Sequence, residues 1–246
     1  MSARSPRFRR AMAIAWLLAG ALLLCGSLYW RDATPKVHAQ ERPSCIEDAM
    51  IIFDASKSMA ASDDSIAGLR RIDSVRGAIG KVLPKVSRQR RLGLITYGPG
   101  SRAECDNVSL QLRPQPEAAK RIMTRINALE PAGRTPLTFS VELAASVLDS
   151  RNRPGTIVLV TDGEETCGGA PCELAEKLKA ESPGLVVHVI GYRLKDSLGS
   201  KGIFQARCLA DQTGGLYIST NTADELVSAL EKTLSCPLLS RAEISR

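Results

Sequence analysis

A carboxylate and two hydroxyls stand at alternate positions of the sequence, as Asp54, Ser56 and Ser58. They directly follow residues 49–53 (Ala-Met-Ile-Ile-Phe), an apolar run that is typical of a buried strand. Oxygen ligands that include a single strong anion suit a hard divalent cation better than a soft metal. The spacing therefore favours a metal-binding loop at the end of the first strand.

Two further polar positions lie far away in the sequence at equivalent places. Thr135 opens a helical pattern, and Asp162 follows the most hydrophobic strand candidate, residues 156–161. In open α/β sheets, ligands bind outside the carboxyl ends of the strands. We therefore expect three loops to converge at one edge of a sheet. Their candidate metal ligands are Asp54, Ser56, Ser58, Thr135 and Asp162.

Short apolar runs alternate with helical periodicity beyond Cys45, and these elements must position the loops. The strand candidates are residues 49–53, 92–97, 108–112, 156–161, 185–190 and 216–220. The helical patterns lie within residues 72–83, 119–129, 141–148, 172–181, 202–213 and 223–235. This alternation predicts a doubly wound α/β fold, in which helices cover both faces of a mostly parallel six-stranded sheet. We expect one antiparallel edge strand; residues 108–112 alternate as an edge strand would, and Pro114 is expected to end them.

The first forty residues have the pattern of a targeting segment. Four arginines within the first ten residues precede the uncharged residues 11–30, which are about long enough to span a membrane. Residues 37–39 (Val-His-Ala) also have the small-residue pattern of a cleavage site. We expect residues 1–30 to be a signal or membrane anchor and residues 31–44 to be a linker, and both retention and cleavage stay open. The domain is then exported to the periplasmic or extracellular side, anchored in the inner membrane if the segment is retained and secreted otherwise.

The distribution of charge gives little support for a nucleic-acid partner. The chain has a formal charge of +7, of which the arginines in the first ten residues supply +4. Residues 31–36 add +1, so the rest of the chain carries only +2. We therefore expect no binding to nucleic acid.

Six cysteines lie beyond the apolar N-terminal segment: Cys45, Cys105, Cys167, Cys172, Cys208 and Cys236. An even number in an oxidising compartment predicts up to three disulfides, although many pairings are possible. A zinc site is disfavoured because no two cysteines form a CxxC pair. The only histidines are His38, near the candidate cleavage site, and His188, inside an apolar strand candidate.

The candidate ligands together resemble the metal-ion-dependent adhesion site of the von Willebrand factor type A family. That site consists of an Asp-x-Ser-x-Ser loop, a Thr from a second loop and an Asp from a third, and all five positions are filled here in order. The resemblance covers about residues 46–235, and it implies a domain over residues 45–236 with a C-terminal tail over residues 237–246. Lys57 is a departure, because the family often has Gly there; a cation beside the site would either weaken metal binding or favour an anionic ligand.

The resemblance implies specific roles for the five residues. Ser56, Ser58 and Thr135 would touch the metal directly or nearly so, whereas Asp54 and Asp162 would act largely through bound water. One coordination position would stay open for an Asp or Glu carboxylate of a protein partner. Three hydroxyls and few direct carboxylates favour Mg²⁺, with Mn²⁺ or Ca²⁺ as alternatives.

The resemblance also implies disulfide pairs. Cys167 would pair with Cys172 in a short loop beside the metal aspartate, and Cys45 with Cys236 would join the ends of the domain. Cys105 and Cys208 are then left as a third pair by elimination.

Two other functions compete with metal-dependent binding. A scaffold or assembly subunit of a membrane complex would use the metal mainly to stabilise the loops. A haloacid-dehalogenase-like phosphatase also has an aspartate at the end of its first strand, but its general acid two residues later is replaced here by Ser56. The sequence contains neither a G-x-S-x-G elbow nor a P-loop. It therefore favours a non-catalytic protein-binding domain over an enzyme.

Overall fold

The computed structural model describes residues 45, 47–63, 68–99, 105–194 and 200–236, with the side chains of residues 200–204 left out. The described residues belong to one compact unit, residues 42–246. The expected targeting segment (1–30), linker (31–44) and tail (237–246) lie outside the described residues. Among the helices that the structure describes, none is long and apolar enough to cross a membrane.

Strands and helices alternate along the described chain. The strands are β1 (Asp48–Asp54), β2 (Leu92–Tyr97), β3 (Val108–Gln115), β4 (Gly155–Thr161), β5 (Leu185–Tyr192) and β6 (Tyr217–Thr220). The α-helices are α1 (Arg71–Val86), α2 (Ala119–Asn127), α3 (Leu137–Val147), α4 (Pro171–Glu181), α5 (Ser200–Thr213) and α6 (Ala223–Leu234). A 3-10 turn, Lys57–Ala60, follows β1.

The strands form one sheet in the order β3-β2-β1-β4-β5-β6. Neighbouring strands are parallel except at the β3 edge, where β3 pairs antiparallel with β2. The predicted six-stranded, mostly parallel α/β sheet with one antiparallel edge strand is therefore confirmed. The strand order reverses between β1 and β4, and in such sheets the crevice at the reversal is where ligands bind.

The predicted end of the edge strand is wrong. β3 continues through Pro114 to Gln115, although Pro114 was expected to end it. An edge strand has neighbours on one side only, so a residue that lacks an N–H group is tolerated there. The pairing of β3 with β2 also shifts register between Leu92 and Leu94, where the ladder is irregular.

Two apolar clusters cover the two faces of the sheet. Ile51 and Phe53 of β1 pack in the cluster that includes α1, α2 and α6, whereas Met50 and Ile52 pack in the cluster that includes α3, α4 and α5. Successive side chains of a strand point to opposite faces, so β1 is buried on both sides. The loop that follows β1 therefore starts from a fully packed strand.

Three disulfides join the six cysteines that follow the N-terminal segment. Cys45–Cys236 is the pair that the family resemblance implied. The other two predicted pairs are wrong, because the structure pairs Cys105 with Cys167 and Cys172 with Cys208. Cys172 lies in the first turn of α4, which packs beside α5, so its partner is on the neighbouring helix and not in the preceding loop.

Candidate metal centre

Asp54 ends β1 and is fully buried at the point where the strand order reverses. Its Oδ1 accepts a hydrogen bond of 2.7 Å from the backbone N–H of Ser56, and its Oδ2 accepts one of 2.7 Å from the hydroxyl of Thr161. Thr161 is the last residue of β4, the neighbouring strand. Asp54 therefore ties the start of its loop to the adjacent strand end.

The two serines of the first loop lie beside the aspartate that follows β4. Ser56 Oγ is 3.0 Å from Ser58 Oγ, and the Ser58 hydroxyl donates a hydrogen bond of 2.6 Å to Asp162 Oδ1. Asp162 is fully buried, and its second oxygen accepts a hydrogen bond of 3.0 Å from the Arg71 guanidinium. The structure therefore joins residues that are about a hundred positions apart into one polar cluster.

Thr135 is held at the same place by the loop that follows Asp162. Its N–H donates to Thr166 Oγ1 at 2.8 Å, and the N–H of Thr166 donates to the carbonyl of Thr135 at 3.1 Å. A Cβ atom built on Gly163 would lie 3.5 Å from Ser58 Oγ and 3.8 Å from Thr135 Oγ1. The hydroxyls of Ser58 and Thr135 thus face one small space, which a glycine leaves open.

The donor set around this space fits a hard divalent cation. The space opens into a depression of about 420 Å³ lined by Ser56, Ser58, Gly133, Arg134, Thr135 and Thr166. Within the described residues, no group of three or more His, Cys, Asp or Glu side chains could hold a metal ion. A cation would therefore take most of its protein ligands from hydroxyls, with the two aspartates close behind, as Mg²⁺ accepts.

The two buried carboxylates of the site are only partly compensated by the cationic side chain beside them. Burial raises the pKa of Asp54, and burial followed by the nearby Asp54 carboxylate raises the pKa of Asp162 to about 6. The Tyr97 side chain, also fully buried at the end of β2, has a pKa well above its ordinary value because of burial and then Asp54. Arg71 pairs with Asp162, but two buried carboxylates remain for one guanidinium. A divalent cation would neutralise the remainder.

Sequence reasoning missed three residues that hold these loops. Arg71, at the start of α1, pairs with Asp162 across 91 positions, and no local pattern signals such a contact. Thr166 holds Thr135 in place through the two hydrogen bonds described above. Glu165 accepts hydrogen bonds of 2.7 Å from the backbone N–H groups of Thr138 and Cys167, so it ties the start of α3 to the loop after β4. An acidic residue near a helix start is the one signal that could have identified Glu165.

Comparison with known families finds a match over the part of the chain that contains the five residues. The family model described as the von Willebrand factor type A domain matches residues 49–165. The protein YwmD of Bacillus subtilis (strain 168) is 29% identical over 228 residues, which cover 88% of this chain and 96% of that protein.

Solved structures share the fold at low sequence identity. The VWA domain of SpRpn10 superposes with a TM-score of 0.58 at 13% identity, over 80% of this chain and 100% of that one. Proximal thread matrix protein 1 from the mussel byssus, solved with a zinc-occupied MIDAS motif, superposes with a TM-score of 0.54 at 19% identity. That match covers 78% of this chain, and this chain spans about half (48%) of the mussel protein. At such identities the likeness extends to the fold alone.

Proposed function

This chain contains a von Willebrand factor type A domain, and on that premise we propose that it is a metal-dependent protein-binding domain. Its cation would be Mg²⁺, held by Asp54, Ser56, Ser58, Thr135 and Asp162. An Asp or Glu side chain of a partner protein would complete the coordination. The observation that carries the proposal is the convergence of hydroxyls from separate loops on the space beside Gly163.

The hydrogen bonds support a division of roles among the five residues. Ser56, Ser58 and Thr135 line the open depression, so their hydroxyls are placed to touch a cation. Asp54 and Asp162 lie behind them, and each carboxylate oxygen already accepts a hydrogen bond from the protein. The aspartates would therefore act through water and through their charge. The bound cation would supply the positive charge that attracts the carboxylate of the partner.

A binding role is favoured over catalysis at the same place. A phosphatase would need Asp54 as an accessible nucleophile. Asp54 is fully buried, and both of its oxygens are engaged by Ser56 and Thr161. A side chain in that position orients a loop more readily than it attacks a substrate.

The disulfides support an exported protein. Three disulfides persist in oxidising compartments such as the periplasm or the extracellular space. We place the domain on that side of a membrane, with residues 1–30 acting as its signal or its anchor.

The chemistry of the ligands favours Mg²⁺ as the bound ion. Sites rich in hydroxyls with few direct carboxylates suit Mg²⁺, and Mn²⁺ has similar preferences.

Calorimetric titration of the oxidised chain with Mg²⁺ and Mn²⁺ tests the proposal. We expect saturable binding that Ser58→Ala and Gly163→Ala each weaken by roughly tenfold or more, because one removes a ligand and the other fills the space that the cation occupies. The Gly163 substitution should leave the fold intact, since its new methyl group meets only ordinary van der Waals contacts.

Two variants serve as matched controls for the titration. Gly77→Ala adds the same methyl group in α1, where it would contact nothing beyond the backbone of its own helix within 4 Å, and Asp48→Asn removes a carboxylate at the opposite end of β1. Both should bind metal as the parent does. Absence of binding by a folded parent would contradict the metal site. Metal binding without any metal-dependent capture of acidic peptides would favour a scaffold with a structural ion.

A further inference from the structure

We propose that this site selects partners by a second acidic group, which pairs with Lys57 and Arg134 while the first carboxylate reaches the metal. The inference rests on the proposed function and makes it more specific. The partner segment would carry two neighbouring acidic residues on an accessible stretch of chain.

Lys57 and Arg134 lie on two adjacent backbone segments at the site. Lys57 lies between the two ligand serines, and its N–H donates a hydrogen bond of 3.1 Å to the carbonyl of Gly133, the residue before Arg134. Arg134 itself lines the open depression together with Ser56 and Ser58. Both cationic residues are exposed. The two backbone segments that carry them therefore form one side of the candidate metal centre.

Neither cation is neutralised by the part of the protein that the structure describes. Among those residues, Lys57 and Arg134 form no ion pair, and the Arg134 guanidinium donates only to the backbone carbonyl of Thr166 at 3.2 Å. Other arginines nearby differ, since Arg71 pairs with Asp162 and Arg70 pairs with Asp73. A ligand would thus meet two available positive charges.

Charge balance indicates how many acidic groups the site accepts. With both carboxylates ionised, as a bound divalent cation requires, Asp54, Asp162 and Arg71 together carry one net negative charge. A divalent cation converts this into one net positive charge, which a single ligand carboxylate cancels. Lys57 and Arg134 then remain as exposed cations on the two segments that border the site, and a second carboxylate placed beside the first would be attracted to them.

In the absence of a ligand, the same two cations lower the affinity of the site for the metal ion. Positive charges beside a cation site weaken binding of the ion, and an acidic ligand that neutralises them restores it. Linkage then requires that metal and ligand strengthen each other by the same factor. The departure from Gly at Lys57 would therefore make metal occupancy depend on an acidic partner.

Water-proton relaxation of the Mn²⁺-loaded, oxidised full-length chain provides the test, because a coordinating carboxylate displaces water from the ion. The probes are the blocked peptides Gly-Asp-Asp-Gly and Gly-Asp-Asn-Gly, which differ by one charge. We expect the diacidic peptide to bind roughly three- to tenfold more tightly at low salt. This preference should shrink as NaCl rises, since the exposed cations are screened.

Substitutions assign the preference to the two residues. Lys57→Gln and Arg134→Gln should each reduce it, the double variant should abolish it, and the double variant should bind Mn²⁺ alone more tightly than the parent. Arg88→Gln is the matched control. Arg88 is exposed in the loop between α1 and β2, at the amino ends of the strands, whereas the candidate metal centre lies at their carboxyl ends. The Arg88 substitution changes the net charge as each single variant does and should keep the preference.

The outcomes separate this inference from the proposed function. Metal-dependent binding of both peptides with equal affinity, or a preference that survives in the double variant, would overturn the diacidic selection and leave the binding site standing. If neither peptide displaces water from the bound ion, both the diacidic selection and the proposed metal-dependent binding are overturned.

Discussion

Arg71 and a bound cation would both interact with the buried carboxylate of Asp162, and they would compete for its negative charge. The guanidinium lies 3.0 Å from Asp162 Oδ2, and both side chains are largely buried. Removing one partner of a buried pair leaves a charge without compensation, which is strongly destabilising. Arg71 therefore stabilises the metal-free protein while it lowers the attraction of the site for metal.

Substitution of Arg71 by Gln should consequently have opposite effects on stability and on metal binding. We expect Arg71→Gln to lower the free energy of unfolding of the metal-free protein by about 2–4 kcal/mol and to increase the stabilisation that Mg²⁺ provides. Thermal denaturation with chelator and with excess Mg²⁺ measures both effects. Arg207→Gln, which breaks an exposed pair with Asp211 on α5, should change neither. A smaller Mg²⁺-induced shift in Arg71→Gln than in the parent would contradict this competition.

The candidate ligands could be predicted from the sequence because their chemistry is local. Asp54, Ser56 and Ser58 fall within five positions directly after an apolar run, and Asp162 directly follows another. Arg71 and Thr166 have no such signature. Their roles depend on contacts with Asp162 and Thr135 that only the folded chain creates.

At the scale of elements, the alternation of apolar runs and helical periods was sufficient to predict the sheet. A strand buried on both faces must be almost wholly apolar, as β1 and β4 are, so its pattern differs clearly from that of a helix. The disulfide pairing was not predictable in the same way. It depends on which helix packs beside which, and the contact of α4 with α5 is a property of the tertiary structure.

The Cys105–Cys167 disulfide should support the candidate metal centre, whereas Cys172–Cys208 should not. Cys167 directly follows Thr166, which holds Thr135, so the first disulfide fixes a loop of the site. The second joins the first turn of α4 to α5, and neither of its cysteines is adjacent in sequence to a residue that holds a candidate ligand. We expect Cys105→Ser/Cys167→Ser to weaken Mg²⁺ binding several-fold, and both double variants to lose about 2–4 kcal/mol of stability.

Peptide mapping without reduction checks the pairing first, and calorimetric titration of the double variants then checks the roles. The map should contain one linked peptide with Cys105 and Cys167 and another with Cys172 and Cys208. A linked Cys105 and Cys208 would contradict the structure. Equal loss of metal affinity in the two double variants would show that the Cys105–Cys167 link has no special role at the site.

For the molecule as a whole, stability should depend on pH through His188, which lies on β5 and is only partly buried. Its Nδ1 accepts a hydrogen bond of 3.0 Å from the N–H of Leu216, just before β6. Burial, and then the nearby Arg90, lower the pKa of His188 from 6.5 to about 4. The imidazole is therefore neutral in the folded protein at a pH where it would be charged in the unfolded chain.

Since the pKa is lower in the folded state, the unfolded state binds more protons between pH 6.5 and about 4. The contribution of His188 is thus fully present above pH 6.5 and is lost as the pH falls through this window. Allowing for the partial exposure of the ring, we expect a loss on the order of 1–2 kcal/mol. His188→Asn should lack this component, because an amide oxygen can accept the bond from Leu216 without titrating. Urea denaturation of both proteins from pH 7.5 to 4 gives the free energy of unfolding at each pH. The difference between parent and variant isolates the contribution of His188, because the contributions of the buried aspartates are common to both and cancel. Parallel pH profiles for parent and variant would mean that protonation of His188 is not coupled to unfolding.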